Sequence, residues 1–128
     1  MHRTLMLDTH RSLRHIHCVT GKSNFINGIP EMTLLRMLLR NEMYGYELIT
    51  AIKQRSNDAF NFGEGCVYPI LHRLTAQGYL TTRREVVDGR PRHYYRTSPR
   101  GKKHFERLKQ EWTHVMRGTQ AILGVAYA

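Results

Sequence analysis

Residues 64–80, EGCVYPILHRLTAQGYL, decide the fold, because they predict an amphipathic helix that a glycine ends. Four apolar side chains recur at spacings of three and four residues, namely Val67, Ile70, Leu71 and Leu74. This spacing places them on one face of a helix and directs that face towards a core. Gly78 is suited to a left-handed C-terminal cap, and the residues after it have the composition of a strand. We therefore predict a helix that begins near Glu64 and ends just before Gly78.

The opposite face of this helix has a different chemistry. It carries Cys66, Tyr68, Pro69, His72 and Arg73. These side chains include donors for a phosphate or a base edge, and none is a carboxylate that would repel one. This face therefore indicates nucleic-acid binding, while plain solvent exposure of His72 and Arg73 is the alternative interpretation. Pro69 lacks an amide hydrogen, so it suits the early part of the helix, which it can bend.

Composition limits the class of protein. A chain of 128 residues builds one domain with a small core, so oligomerisation is a plausible source of further stability. Twenty Lys and Arg against ten Asp and Glu give a net charge of +10, which favours polyanionic partners. The sequence contains no long apolar run and no signal peptide, so we expect a cytoplasmic protein. In that compartment Cys18 and Cys66 are expected to be reduced.

Residues 1–24 form a basic, histidine-rich segment with weak helical spacing and no capping residues. We expect a mobile or loosely docked arm. His15, His17 and Cys18 suggest a metal site as the alternative, because imidazole and thiolate bind zinc. A structural zinc site needs further ligands at compatible spacing, and no second cluster stands nearby. We therefore predict no metal and no cofactor.

Two helices are expected before residue 64. Pro30 suits the first turn of the first helix, whose leucines face the core. Residues 41–44 form a turn, and Gly45 opens the second helix, so three helices precede any strand. Three apolar residues fit either the core of one chain or contact with another subunit, namely Phe25, Ile26 and Met37.

Residues 79–98, YLTTRREVVDGRPRHYYRTS, predict a β-hairpin. Two stretches rich in Thr, Val and Tyr flank Asp88-Gly89, which is a strong turn signal. Arg90 and Arg92 make the tip basic, and the tip is short enough to enter a groove of DNA. A solvated hairpin face is the alternative.

Residues 98–128 predict one long helix that ends near Tyr127 and dimerises. Ser98 is a good N-cap, and apolar residues follow at helical spacing beyond the reach of a small core. The simplest partner for such a face is the same helix of a second chain, related by a two-fold axis. The predicted fold class is mostly α with one β-hairpin. It combines a winged helix-turn-helix domain at residues 25–97 with a C-terminal dimerisation helix.

Several segments resemble the PadR family of bacterial transcriptional regulators. They are YGYELITAI at 44–52, EGCVYPILHRLTAQGYL at 64–80 and DGRPRHYYRTSPRGKK at 88–103, together with Trp112 downstream. The resemblance implies a homodimer that binds a two-fold operator in double-stranded DNA and usually represses transcription. The helix from Glu64 would enter the major groove, and the hairpin would lie beside it.

The resemblance also implies which residues contact DNA. They are Tyr44, Tyr46, Gly65, Cys66, Tyr68, Pro69, His72, Arg73, Arg90 and Arg92. Cys66 stands where the family usually has Thr or Ser, and it is a weaker hydrogen bonder that can be oxidised.

The short C-terminal region resembles that of the smaller PadR proteins, which accommodate planar aromatic compounds. By this resemblance Trp112 from each chain would flank a flat ligand at the dimer interface. The accompanying interface residues are Phe105, Leu108, Val115 and Met116. Ordinary interface packing of Trp112 is the alternative.

Other classes fit the sequence less well. A winged helix can be a protein-interaction module without DNA binding, but its outward face then tends to lack a basic flank. A small nuclease needs clustered carboxylates or histidines, and Glu64, Glu85 and Asp88 are not arranged with a histidine. We therefore predict no enzyme and no catalytic residues. Only the arm weakly suits a membrane surface, so no membrane partner is expected.

Overall fold

The structure is a computed structural model that describes residues 24–125, with side chains from Gly28 onward. Its elements are α1 (Asn24–Arg40), β1 (Met43–Tyr44), α2 (Gly45–Arg55), α3 (Glu64–Ala76), β2 (Leu80–Val87), β3 (Arg90–Thr97) and α4 (Pro99–Leu123). The predicted fold class, mostly α with one hairpin and a long C-terminal helix, is confirmed. Residues 1–23 of the predicted arm, with His15, His17 and Cys18, lie outside the described residues, as do the side chains of Phe25 and Ile26. Residue 24, the last of the predicted arm, belongs to α1. Within this range, none of the helices has the length and apolar character needed to cross a membrane.

The core lies where α1, α2 and α3 meet beneath the sheet. Its fully buried leucines are Leu34, Leu35, Leu38, Leu48, Leu71 and Leu74. Removing one such side chain from water stabilises the fold by about 1.5–3 kcal/mol. Two residues predicted for the core, Leu39 and Ile70, are only partly buried. Phe62 closes the core after α2, and Phe60 stacks on it with ring centroids 5.3 Å apart.

The start of α1 differs from the prediction. The helix begins at Asn24 and contains Pro30, which the sequence had suggested as its first turn. The φ angle of proline is compatible with a helix, and proline removes only the hydrogen bond that its own amide would donate. Ile29 and Pro30 are buried, so the packing of this turn compensates for the missing bond.

A short strand occupies the predicted turn before α2. Met43 and Tyr44 form β1, which pairs antiparallel with Tyr95 and Tyr94 of β3. The sheet order is therefore β1-β3-β2, and among the described residues one helix precedes the first strand instead of the predicted three. A strand of two residues has no periodicity of its own, and it exists only because a distant strand pairs with it.

The predicted hairpin is confirmed, and β2 and β3 pair antiparallel along their full length. Asp88 and Gly89 have φ angles of 52° and 75°, the left-handed pair that a type I′ turn requires. Gly78 also has a positive φ, and the following amide of Tyr79 donates to the carbonyl of Leu74 at 2.9 Å. This is the C-terminal cap expected for α3.

The two ends of α4 are defined by caps. Ser98 is the N-cap, and its hydroxyl oxygen accepts a hydrogen bond from the amide of Gly101 at 3.0 Å. At the other end Gly124 adopts a left-handed conformation, so α4 stops at Leu123. The predicted end near Tyr127 is therefore wrong, because the glycine cap comes first.

Candidate nucleic-acid interface

α3 has two faces of different burial. Its core face is formed by Val67, Leu71 and Leu74, which are buried. On the other side lie the exposed residues Gly65, Pro69, His72 and Arg73. Pro69 lies inside the helix, five residues after it begins, and is exposed. The arrangement agrees with the amphipathic helix that the spacing predicts.

Tyr68 is half-buried rather than fully outward. Its ring lies over Gly45, the first residue of α2, where a Cβ atom would be 2.5 Å from the phenol oxygen. A Cβ at this position would push the Tyr68 ring aside, so Gly45 allows Tyr68 to lie against the start of α2. Burial, with smaller contributions from Glu64 and Tyr44, raises the pKa of Tyr68 above its ordinary value of 10.0. The phenol therefore keeps its proton at neutral pH and can donate a hydrogen bond to an anion.

Tyr68 belongs to a row of aromatic and basic side chains that continues onto the sheet. On one side the ring of His72 is 6.4 Å from that of Tyr68. On the other side the guanidinium of Arg92 lies 4.4 Å over the ring of Tyr44, next to Gly45 in the chain. We call Arg92, Tyr44, Tyr68 and His72 the aromatic–basic row. None of these four side chains is a carboxylate, although Glu64 lies near enough to Tyr68 to help raise its pKa. The row joins the hairpin to α3.

Arg90 and Arg92, to which the sequence assigns the same role, have different surroundings in the structure. Arg92 is partly buried against Tyr44, whereas Arg90 at the hairpin tip is exposed. Among the described residues Arg90 makes no ion pair. Tyr46 on the first turn of α2 is also exposed. Arg92 is thus pre-oriented by an aromatic ring, and Arg90 is free to adapt.

Arg83 is a structural residue that sequence reasoning missed. Its guanidinium bonds Glu42 at 2.5 Å and Glu85 at 3.0 Å, and it lies 4.7 Å over the ring of Tyr94. Hydrogen bonding from Arg83 holds the pKa of Glu42 below its usual value. Arg83 therefore braces the hairpin against the turn after α1. Glu42 lies 41 residues earlier in the chain, and no local pattern links the two.

Arg73 is also paired within the protein. Its Nη2 donates to Glu31 of α1 at 2.6 Å, and its Nη1 donates to Gln77 at 3.3 Å. The Arg73 side chain is nevertheless 48% exposed. The sequence predicted Arg73 as a free contact residue and missed Glu31, which lies 42 residues away.

Cys66 corrects an expectation about redox state. It is disulfide-bonded, whereas a reduced thiol was predicted. The sequence argument used compartment and cysteine count, but pairing depends on whether the fold brings two sulfur atoms together. Cys66 is partly buried, and its sulfur has no S–H group to donate.

The outer part of α4 carries exposed apolar side chains. Ile122 is 88% exposed, Trp112 is 37% exposed, and Val115 and Leu123 are exposed as well. Phe105, which was predicted at the dimer interface, is instead 5% exposed and packs in the core of its own chain. Its position one turn after the buried Gly101 explains the difference, because this end of α4 rests on the domain.

Two grooves flank Trp112. The first lies between α1 and α4 and has a volume of about 160 Å³, with Ile29, Met32, Leu108 and Val115 along it. The second is larger, about 420 Å³, and has an apolar floor that includes Met37, Phe60 and Phe105. Its cations are Arg36, Arg55 and Lys109. The described residues that line the second groove include no carboxylate.

The fold and this face place the chain in the class of winged helix-turn-helix proteins. The model described as "Transcriptional regulator PadR-like family" matches residues 34–107, which is more than half of the chain. The protein therefore belongs to the PadR-like family of transcriptional regulators. The family consists of regulators rather than enzymes.

Two known proteins and a solved structure are similar to this chain. An uncharacterised protein of Lysinibacillus sphaericus is 33% identical over 95 residues, covering 73% of this chain and 87% of that protein. A transcriptional regulator of Mycobacterium tuberculosis is 40% identical over 78 residues, covering 61% of this chain and 70% of that one. The crystal structure of a PadR family regulator from Eggerthella lenta has the same fold, with a TM-score of 0.71 at 23% identity over 95% of both chains.

Proposed function

We propose that this regulator binds a two-fold DNA operator as a homodimer and represses transcription. In this proposal α3 enters the major groove, and the hairpin lies on the backbone or in the adjoining minor groove. The observation that carries the proposal is the aromatic–basic row, which presents donors from α3 and the hairpin on one continuous face. Donors from both elements on one side of the molecule suit the regular spacing of phosphates along a duplex.

The proposal gives different tasks to the members of this face. Tyr68 donates its phenol hydrogen to a phosphate, and Arg92, held on Tyr44, approaches the backbone or minor groove. Arg73 and His72 lie near base edges or the adjoining phosphates. The remaining proposed contact residues supply close packing or adaptable contacts, namely Tyr44, Tyr46, Gly65, Cys66, Pro69 and Arg90. Cys66 contributes packing only, because its sulfur is already bonded.

A selection experiment tests DNA binding. The wild-type protein is used to enrich duplexes from a random-sequence pool, and the products are sequenced. We expect an inverted repeat whose half-sites are about one helical turn, roughly 10 base pairs, apart or a multiple of that distance. If no sequence is enriched and binding to random duplex is also absent, the DNA-binding proposal is wrong. A winged helix that binds only proteins would give this result.

Salt dependence separates the roles of two arginines. About three to five phosphate contacts per subunit predict a slope of log affinity against log salt near −6 to −9 for the dimer. Arg92→Ala should weaken binding to selected and random duplexes alike and reduce the slope by about one. Arg73→Ala should weaken binding to the selected duplex more than to the random one. Arg40→Ala, at the exposed end of α1, is the matched control.

The homodimer is supported by the outer part of α4. The helix has 25 residues and is about 37 Å long, but its buried residues, Gly101 and Phe105, lie near its first end. Exposed apolar residues at helical spacing beyond them fit the same helix of a second chain. Sedimentation velocity of the wild-type protein should show a dimer at micromolar concentration, and a monomer at that concentration would contradict this part.

The grooves beside Trp112 support an aromatic effector. The second groove has the size of a small-molecule site, an apolar floor and three cations. This chemistry suits a planar aromatic compound that carries an acid group. Quenching of Trp112 fluorescence should be stronger for an aromatic carboxylate than for its neutral amide. Equal quenching by both would show that the cations take no part, and no quenching would remove the effector from the proposal.

A further inference from the structure

Glu31 is a nearly buried carboxylate that connects three helices. It lies on α1, its side chain is 13% exposed, and each of its oxygens has a different partner. One oxygen accepts from Arg73 of α3 at 2.6 Å, and the other accepts from Nε2 of His104 on α4. The helix proposed to read DNA is therefore linked through one carboxylate to the helix proposed to dimerise.

The His104 side of this link is held firmly. The ring of His104 stacks on that of Tyr79 at a centroid distance of 4.1 Å and an interplanar angle of 3°. Arg107 donates to Nδ1 of His104, and because arginine has only donors, Nδ1 must be the acceptor. The ring proton then lies on Nε2, where it is donated to Glu31. The position of the carboxylate is thus set by α4.

The Arg73 side of the link leaves capacity for a ligand. The guanidinium has five N–H donors, and its bonds to Glu31 and Gln77 orient the group without using all of them. Burial alone would raise the pKa of Glu31, but hydrogen bonds from His104 and Arg73 outweigh it, so the pKa lies below the ordinary 4.5. The carboxylate is therefore charged at neutral pH and retains its hold on Arg73.

We propose that Glu31 is a positioning residue for DNA sequence recognition, acting through Arg73. By holding the guanidinium in the last turn of α3, Glu31 reduces the rotamer freedom that Arg73 would otherwise lose on binding a base or phosphate. The inference rests on the proposed DNA-binding function. According to this proposal, a carboxylate favours specific DNA binding even though the protein carries a net charge of +10.

If Glu31 has this role, removing its charge should change DNA affinity in the direction opposite to that expected from charge repulsion alone. Neutralising an acid on a basic DNA-binding protein should strengthen binding to any duplex, because repulsion of phosphates is removed. If Glu31 positions Arg73, Glu31→Gln should instead weaken binding to the duplex selected by the wild-type protein, by about tenfold. Binding to a scrambled duplex of the same length should be unchanged or stronger.

The experiment compares Glu31→Gln with Glu106→Gln by fluorescence anisotropy. Glu106 is exposed on α4, and the structure gives it no ion pair with a described residue, so the second variant makes the same charge change away from α3. We expect a loss of specificity only in Glu31→Gln. Equal, stronger binding by both variants would overturn the proposal.

A double-mutant cycle isolates the route of the effect. In an Arg73→Ala background, Glu31→Gln should cost no further affinity for the selected duplex, because the residue that it positions is gone. The same tenfold loss in that background would show that Glu31 acts on the fold instead, and would overturn the proposal. Glu31→Asp offers a second variant that keeps the charge but withdraws it from Arg73, and it should also lose specificity.

The experiments distinguish a failure of the Glu31 proposal from a failure of the proposed DNA-binding function. If the wild-type protein selects no duplex, DNA binding itself fails. If it selects one and Arg73→Ala weakens binding while both Glu31 variants, shown to be folded by circular dichroism, bind like wild type, only the positioning role of Glu31 fails.

Discussion

The two ends of α4 belong to one continuous helix but have opposite surroundings. At the inner end, residues 99–108, Gly101 and Phe105 are buried in the domain, and His104 bonds Glu31. At the outer end, residues 109–123, Trp112 is partly exposed and Ile122 is almost fully exposed. Apolar residues continue at helical spacing through both ends. Periodicity therefore identifies an apolar face of a helix, but the identity of what covers that face depends on the rest of the fold.

The largest expected difference between the ends concerns side-chain truncation. Phe105→Ala should lower the free energy of unfolding by about 3–5 kcal/mol, because it leaves a cavity in the core. Ile122→Ala, at the exposed end, should change it by less than about 0.5 kcal/mol in the isolated chain. Urea denaturation at one fixed protein concentration measures both. Comparable losses would mean that the two ends are equally packed.

Alanine substitutions at two glycines of α4 should change the stability of the fold in opposite directions. A Cβ atom at Gly101 would collide with the backbone carbonyl of Tyr79, which cannot move aside, whereas Gly118 has open space around it. Gly101→Ala should therefore destabilise by about 1–3 kcal/mol. Gly118→Ala should stabilise by about 0.5–1 kcal/mol, since alanine is the better helix former. Thermal unfolding that moves in the same direction for both would contradict the comparison.

Truncation of Trp112 tests the outer end as an interface. Trp112→Ala should weaken dimerisation by about 1–2 kcal/mol, roughly a 5- to 30-fold rise in the dimer dissociation constant. The fold should remain intact, because this side chain lies beyond the core. Val86→Ala is the control, since Val86 is an exposed apolar residue on the hairpin. If sedimentation equilibrium shows that Trp112→Ala associates like wild type, other residues form the dimer interface.

The smallest expected effect is the pH dependence of the stability that Glu31 contributes at the inner end of α4. The pKa of Glu31 is lowered in the folded protein, so its ion pair with Arg73 and its hydrogen bond from His104 stabilise the fold fully above the unfolded value near 4.5. This contribution is lost as pH falls below 4.5 through the folded pKa. Glu31→Gln should therefore lose less stability on acidification than wild type, and Glu106→Gln should behave like wild type. Identical acid unfolding of wild type and Glu31→Gln would contradict this assignment.

Local sequence rules were sufficient for several elements. Gly78, Asp88-Gly89 and Ser98 each act within a few residues, and each cap or turn appears where its sequence places it. The buried stripe of α3 was likewise visible in its spacing. Pro30 was misread because the local rule treats proline as a helix start, while packing of the surrounding turn keeps it inside α1.

The arrangement of the candidate site needed the folded chain. The sequence named Arg73, Arg92, Tyr44 and Tyr68, but it could not show that Arg92 lies on Tyr44 or that Glu31 holds Arg73. Ion pairs and ring contacts form between residues far apart in the chain, and single charged residues carry no periodic signal. The same limit applies to Cys66, whose disulfide bond the sequence argument did not predict.

For this protein, short-range chemistry specified the helices, the hairpin and the family, because backbone caps, turns and apolar spacing act over one or two turns of chain. Tertiary contacts alone decided which cations are available to a ligand and which brace the fold. They did so by bringing Glu31 to Arg73, Glu42 to Arg83 and Tyr44 to Arg92. The physical reason is that the energy of a charge depends on its partners and its exposure to water, and both are properties of the folded molecule.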